Sequence, residues 1–277
     1  MIIYDIERFT KVFFLGIIQG FTEFFPISST AHLILISDWI GFDSSSEQFF
    51  EVMMQCGSVL AIICFFRKNL LNLIKGLCLF IPNKIKLMHK LLVALLPIII
   101  IGPFSIKVVK SLYYPKIVAI AMILGGVIIL WVENRTYYLI YNTEYKFSDI
   151  LEKISLKQAI IIGLVQCLAI IPGFSRSGTT IIGGIFVGLN RKIATEFSFL
   201  LAIPTIIGAS IHDLYHHSSK LTISSFLDIL IGFFSSFLIS LIMIRIVFKF
   251  IETHTYRIFA WYRLIFGGII LIIYLIR

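Results

Sequence analysis

The sequence predicts an all-α polytopic integral membrane protein: one membrane domain, 1–277, made of two inverted-topology repeats with six full transmembrane helices and two re-entrant helical hairpins. Three observations predict it. The chain is 58% hydrophobic and only 14% charged, where soluble domains carry about 25% charged residues. Its apolar runs, such as 91–101, 117–132 and 229–247, do not alternate as barrel strands would. Four of its apolar segments are too short to span, and they come as two pairs, each joined by a Pro/Ser turn and not by a charged loop.

Ten apolar segments follow in order: 12–25, 29–41, 49–66, 87–106, 116–133, 157–171, 178–189, 195–212, 222–248 and 257–277. A span needs about 20 apolar residues. The pairs 12–41 and 157–189 therefore read as hairpins that dip to mid-depth and return, and the other six segments read as spans. Asp5, Glu7, Arg8 and Lys11 precede the first apolar stretch and no small-residue cleavage site follows it, so a cleaved signal is not expected.

The second half repeats the first. Gly16-Ile-Ile-Gln19 matches Gly163-Leu-Val-Gln166 at an offset of 147, Pro26 matches Pro172 at 146, and Glu51 matches Glu196 at 145. Repeat one covers 1–133, a cytoplasmic linker 134–156, and repeat two 157–277. Each repeat has an odd number of spans, which inverts the second copy and puts a site where the two breaks meet near the midplane. Loop 67–90 carries Arg67, Lys68, Lys75, Lys84, Lys86 and Lys90 and is placed in the cytoplasm. Alternation then gives the cytoplasmic segments 15 of the 24 basic residues and the outer loops 107–116 and 213–221 only four. The net charge of +9 is thus a topology signal toward anionic lipid, and no nucleic-acid partner is expected.

Polar chemistry concentrates at the two breaks. Arg176 stands in Pro172-Gly-Phe-Ser-Arg-Ser-Gly-Thr-Thr180 between apolar flanks, where a fixed charge costs about 2.5–3.5 kcal/mol even on lenient insertion scales. Arg176 with Ser175, Ser177, Gly178, Thr179 and Thr180 suits a cluster of anionic oxygens such as phosphate. Upstream, Pro26-Ile-Ser-Ser-Thr-Ala-His32 has a related design, in which Ser28, Ser29 and Thr30 begin a helix whose free amides form an anion site. Gln19 and Glu23 lie four apart on one helix face. Glu23 can neutralise Arg176, act as a base, or join Gln19 in holding a hard divalent cation, Mg2+ or Ca2+. Ser29 and His32 are three apart, and either could be the attacking group.

Other polar residues read as structural. Glu51 and Glu196 open long spans and suit capping or interfacial anchoring. His212, His216 and His217 read as a solvated outer loop. Cys56, Cys64, Cys78 and Cys167 form no CxxC pair and read as small hydrophobes. Gly125-Gly126, Gly183-Gly184 and Gly267-Gly268 allow close helix contact, which a homodimer could use.

At these residues a family resemblance becomes specific. Gln19-Gly-Phe-Thr-Glu-Phe-Phe-Pro-Ile-Ser-Ser-Thr-Ala-His32 resembles the first signature of the undecaprenyl pyrophosphate phosphatase, or bacitracin-resistance, family: Glu or Gln, three residues, Glu, then Pro-x-Ser-Ser-Thr-x-His. Pro172-Gly-Phe-Ser-Arg-Ser-Gly178 resembles the second, and Glu196-Phe-Ser-Phe-Leu-Leu-Ala-Ile-Pro204 is also similar to that family. The resemblance implies hydrolysis of a C55 polyprenyl diphosphate to the monophosphate plus phosphate. That reaction recycles the lipid carrier of peptidoglycan and other envelope polymers and confers bacitracin resistance. It also implies the bacterial inner membrane, a site reached from the outer (periplasmic) side, divalent-cation dependence, and the six-span, two-hairpin inverted repeat. Glu23, Ser29, His32 and Arg176 match the family's catalytic and phosphate-binding positions, and Gln19 stands where Glu is commoner.

The mechanism expected is phosphoryl transfer from undecaprenyl diphosphate, its head between the hairpins and its tail in the bilayer. Ser29 attacks with help from His32 or Glu23, or His32 attacks directly. The rival is a transporter or flippase for an anion or polyprenyl phosphate, since inverted repeats with meeting hairpins also build carriers. A membrane scaffold is a third reading, opposed by the density of polar groups at both breaks.

Overall fold

The computed structural model describes residues 5–42, 47–136, 154–217 and 222–276, and among them there is helix and no strand. The order is α1 (Ile6–Thr22), α2 (Ser29–Ile40), α3 (Glu47–Phe65), α4 (Arg67–Cys78), α5 (Pro82–Ser111), α6 (Pro115–Arg135), α7 (Leu156–Gln166), a 3-10 turn (Cys167–Ile170), α8 (Arg176–Phe186), α9 (Arg191–His217), α10 (Ile223–Ile251) and α11 (Arg257–Ile276). α5, α6, α9, α10 and α11 are each long and apolar enough to cross a membrane, and α3 with α4 supplies a sixth candidate if the bent pair counts as one. Their outward faces carry large apolar side chains, among them Phe104, Leu238, Ile242 and Ile265. The molecule is therefore an integral, multi-pass membrane protein. α1–α2 and α7–α8 are the two short pairs, each broken at its Pro/Ser turn.

Helix ends follow local chemistry. Asp5 accepts from the Glu7 amide and caps α1, so that helix begins well before residue 12. The stretch 67–90, expected as a loop, is α4 and the start of α5. Leu70, Leu73 and Leu77 recur at helical spacing, and Leu73 packs inward while the basic residues lie on the other face. The chain bends by 75° between α3 and α4. Pro82 opens α5 with its φ already set for helix. His212 and His216 stack on each other in the last turns of α9 and are not in a loop, while the His217 side chain lies outside the described residues. Most of the expected linker, 137–153, also lies outside the described residues.

Glycines bring backbones together. A Cβ on Gly16 of α1 would sit 1.8 Å from Ser235 Oγ of α10, and one on Gly163 of α7 would sit 2.3 Å from the Ala94 carbonyl oxygen of α5. α6 and α11 meet through Gly126, facing the Ala260 carbonyl, and Gly267, facing that of Ala119. Gly183 and Gly184 touch Val165 and Ala194, so the expected helix-contact glycines act within the chain, and only Gly268 of those six faces open space. The cysteines are free; Cys56, Cys64 and Cys167 are half-buried as packing residues, while Cys78 is exposed on α4. Polar ties fasten the periphery: Arg8 grips Asp228 through both carboxylate oxygens (2.9 and 3.1 Å from Nε), Arg191 pairs with the fully buried Glu133, and Tyr113 donates to Glu51 (2.5 Å). The main apolar core wraps the hairpin turns, with Phe24 against Phe199 (5.1 Å) and Phe25 against Phe259 (4.8 Å).

Candidate active site

The two breaks have the same local geometry. Ser28 (φ 70°) and Ser175 (φ 72°) are both in the left-handed region, uncommon for residues other than glycine. Each caps the helix it opens: Ser28 Oγ accepts from the Ala31 amide (3.3 Å) and Ser175 Oγ from that of Gly178 (3.0 Å). Such strain costs about 1–3 kcal/mol per residue and persists where surrounding contacts over-determine it. Here it turns the N-termini of α2 and α8 onto one cavity of about 120 Å³. Glu23, Ser28, Ser29, Thr30, Ser175, Arg176 and Ser177 line that cavity, with Gln55 from α3 and the turn residues Pro172 and Gly173. Two convergent helix starts bring first-turn amides and positive dipole ends to the cavity, an arrangement that can bind an anion.

Inside it, charge is paired across the two turns. Arg176 Nη2 donates to Glu23 Oε1 at 2.6 Å. The other carboxylate oxygen, Oε2, accepts from Ser29 Oγ (2.7 Å) and from Gln19 Nε2 (2.8 Å). Glu23 is 6% exposed and the Arg176 side chain 13%. Arg176 keeps donors in reserve, because its Nε has no partner and its Nη1 contact to the Ser198 carbonyl is long, 3.4 Å. Ser177 Oγ bonds the Phe25 carbonyl (3.1 Å), tying one turn directly to the other. Thr180 supports the start of α8, bonding the Arg176 carbonyl (2.8 Å) and Ser198 Oγ (2.6 Å). Gly178 leaves room at the same place, where a Cβ would come within 3.1 Å of Ser175.

His32 stands apart. It shares α2 with Ser29 but does not line the cavity. Its Nδ1 is 2.7 Å from the Ser28 carbonyl and its Nε2 is 2.6 Å from the Tyr262 hydroxyl. A carbonyl only accepts, so in the neutral ring Nδ1 carries the proton and Nε2 accepts from Tyr262. The ring also stacks on Phe266 (4.9 Å). Gln19 sits one step behind the cavity, acting through Glu23, and its Oε1 is buried without a partner.

Four polar residues went unremarked as site components in the sequence. Gln55 interrupts the apolar α3, Ser198 follows Glu196 closely, and Tyr262 and Arg263 lie in the last apolar span. The signal for Arg263 was the same as for Arg176: a lone guanidinium inside an apolar segment. A larger cavity of about 240 Å³, between α4, α5 and α9, contains none of the cluster.

Comparison with known proteins supplies an independent line. The family described as "Bacitracin resistance protein BacA" matches residues 12–269. A protein of Bordetella petrii named undecaprenyl-diphosphatase is 46% identical over 271 residues, covering 94% of this chain and 94% of its own. One of Shewanella oneidensis named undecaprenyl-diphosphatase 2 is 48% identical over 267 residues, covering 96% of this chain and 98% of its own. One of Acinetobacter baumannii, again an undecaprenyl-diphosphatase, is 46% identical over 266 residues, covering 95% and 94%.

Proposed function

The chain belongs to the bacitracin resistance protein BacA family, and on that premise we infer that it hydrolyses undecaprenyl diphosphate to undecaprenyl phosphate and inorganic phosphate. One observation carries the chemistry: the Glu23–Arg176 pair that joins the two turns, with Ser29 hydrogen-bonded to the same carboxylate in a shared polar cavity. The relatives are named as hydrolases, and nothing comparable favours the carrier reading.

In the resting site one nitrogen of Arg176, Nη2, is engaged by Glu23, while Nε is unpartnered. The diphosphate head competes for that guanidinium, and its terminal oxygens also meet the first amides of α2 and α8. Drawing Arg176 toward phosphate weakens its hold on Glu23 and so makes the carboxylate a better base. Glu23 then takes the Ser29 hydroxyl proton as Ser29 Oγ forms a bond to the terminal phosphorus. The bond from that phosphorus to the bridging oxygen breaks, and the lipid monophosphate leaves. Water attacks the phosphoserine, regenerates the Ser29 hydroxyl and releases phosphate. Arg176 and the turn amides offset the charge that grows on the equatorial oxygens. Ser29 is preferred over His32 as the nucleophile because it faces the cavity, while both His32 ring nitrogens are engaged elsewhere. His32 braces the Ser28 carbonyl in this reading.

A divalent cation, Mg2+ or Ca2+, would be held by Glu23 from the cavity and by Gln19 from behind it. Glu23 and the unpartnered Gln19 Oε1 are hard oxygen ligands, and diphosphate oxygens with water would complete the shell. Among the described residues no group of three His, Cys, Asp or Glu gathers to hold a metal by itself. When bound, the cation would add Lewis-acid neutralisation of the phosphate charge.

Two finer readings accompany the first. The chain is read as two inverted repeats, 1–133 and 157–277, joined by the linker 134–156. The twin strained serines, Gly16 on α10 beside Gly163 on α5, and the buried pair Gln19 and Gln166 support it. The setting is the bacterial inner membrane with the site opening outward, supported by the distribution of basic residues. There the reaction returns the carrier lipid to peptidoglycan and envelope-polymer synthesis and protects against bacitracin.

Phosphate release from C55 diphosphate by the purified chain in detergent tests the activity. Trapping the phosphoenzyme tests the mechanism, with phosphate expected on Ser29. Phosphohistidine would transfer the role to His32, and a protein that releases no phosphate would return the carrier reading.

A further inference from the structure

Arg263 lies in α11, and its side chain is wholly buried. Its five N–H donors meet five backbone carbonyls: Nε donates to Met122 (3.0 Å), Nη2 to Ala121 (3.2 Å) and Gly173 (2.8 Å), and Nη1 to Pro26 (3.1 Å) and Phe174 (3.0 Å). No carboxylate among the described residues pairs with it. A buried guanidinium without a counter-ion is costly, and α11 already packs on α6 through Gly126 and Gly267 without it.

The partners explain the residue. They come from three separate segments: α6, the turn before α2, and the turn before α8. Pro26 stands just ahead of Ser28 and Ser29, and Gly173 and Phe174 just ahead of Ser175 and Arg176. A guanidinium is planar and its donors form a rigid fork, so one side chain sets the spacing between the two halves of the cavity. It also orients a peptide. The Phe174 carbonyl is drawn to Arg263, and in a trans peptide this turns the Ser175 amide the opposite way. Space has been cleared for the fork, since a Cβ on Gly125 of α6 would fall 2.0 Å from Nη2.

We propose that Arg263 is a positioning residue of the hydrolytic site, holding the two turns at the spacing where Ser29 and Arg176 reach one phosphorus and placing uncancelled positive charge behind the diphosphate head. The proposal rests on the phosphatase reading above. Three variants of the full chain, assayed in detergent on C55 diphosphate, test it. Arg263→Lys keeps the charge but cannot bridge five carbonyls. Arg263→Gln also removes the charge. Gly125→Ala crowds the fork from α6 without touching the cavity.

Misplacement of reacting groups by about 1 Å costs about 10²-fold in rate. Arg263→Lys, melting and eluting as the parent protein does, is therefore expected to lose kcat on that scale with KM nearly unchanged, the pattern of an interaction expressed in the transition state. Arg263→Gln is expected to lose kcat and also raise KM, and Gly125→Ala to lower kcat in the same direction. Folded Arg263 variants that keep parental kcat overturn the proposal. So does a fall in activity that only tracks the folded fraction, or a failure of all three variants to fold, because Arg263 would then simply hold the bundle. If the parent protein itself releases no phosphate, the phosphatase reading fails and not this inference alone.

Discussion

Glu23 serves three donors at once: Arg176 on one oxygen, Ser29 and Gln19 on the other. Glu23→Gln keeps the shape but can neither hold a proton nor balance the guanidinium. Loss of a general base costs about 10²–10⁴-fold, so kcat for phosphate release should fall on that scale. The Tm in detergent should fall too, since breaking a buried ion pair costs about 3–5 kcal/mol. Tyr262→Phe makes the opposite case. It removes one hydrogen bond from His32 Nε2, a loss worth about 0.5–1.5 kcal/mol, and phosphate release should change by less than about tenfold. A loss as deep as that of Glu23→Gln would put His32 in the chemistry. The meeting of Glu23 with Arg176 was legible in the sequence, because an intramembrane carboxylate and an intramembrane guanidinium need each other. The direction of His32 was not. Spacing of three from Ser29 allows a shared face, and only packing against Tyr262 and Phe266 decides otherwise.

At the scale of helices, the two breaks are held by strained serines and by glycines that let short helices sit close to long ones. Ser28→Gly relieves the positive φ and loses the cap, whereas Ser28→Ala loses the cap, worth about 1 kcal/mol, and keeps the strain. Thermal melting should therefore rank Ser28→Gly above Ser28→Ala, and the same order should hold at Ser175. Gly16→Ala drives a methyl into Ser235 and the Gly232 carbonyl. Overpacking of that kind costs about 1–3 kcal/mol, so its Tm should drop while KM stays near that of the parent protein. The short pairs were readable from length and Pro/Ser turns. α4 was not, because its basic residues read as loop charge and its leucines became informative only once a face was available for them to cover. The carbonyls that Arg263 gathers were equally hidden, since backbone acceptors leave no mark in a sequence.

For the molecule as a whole, the proposed orientation rests on where the basic residues fall. In a chain freed of its native cysteines, Lys116→Cys at the start of α6 should react with a membrane-impermeant thiol reagent added outside right-side-out vesicles. Lys75→Cys on α4 should react only after the vesicles are opened. The reverse pattern would turn the molecule over and place the site's mouth in the cytoplasm. The broad architecture was legible because lipid demands long apolar helices.

The cavity between the turns, about 120 Å³, is lined mainly by hydroxyl, charged and turn residues. On the phosphatase reading that lining takes the diphosphate head, and the 55-carbon tail lies outside this cavity, in the bilayer. Substrates with far fewer isoprene units should be turned over at a similar rate once saturating, and should differ chiefly in how much of each partitions into the lipid phase.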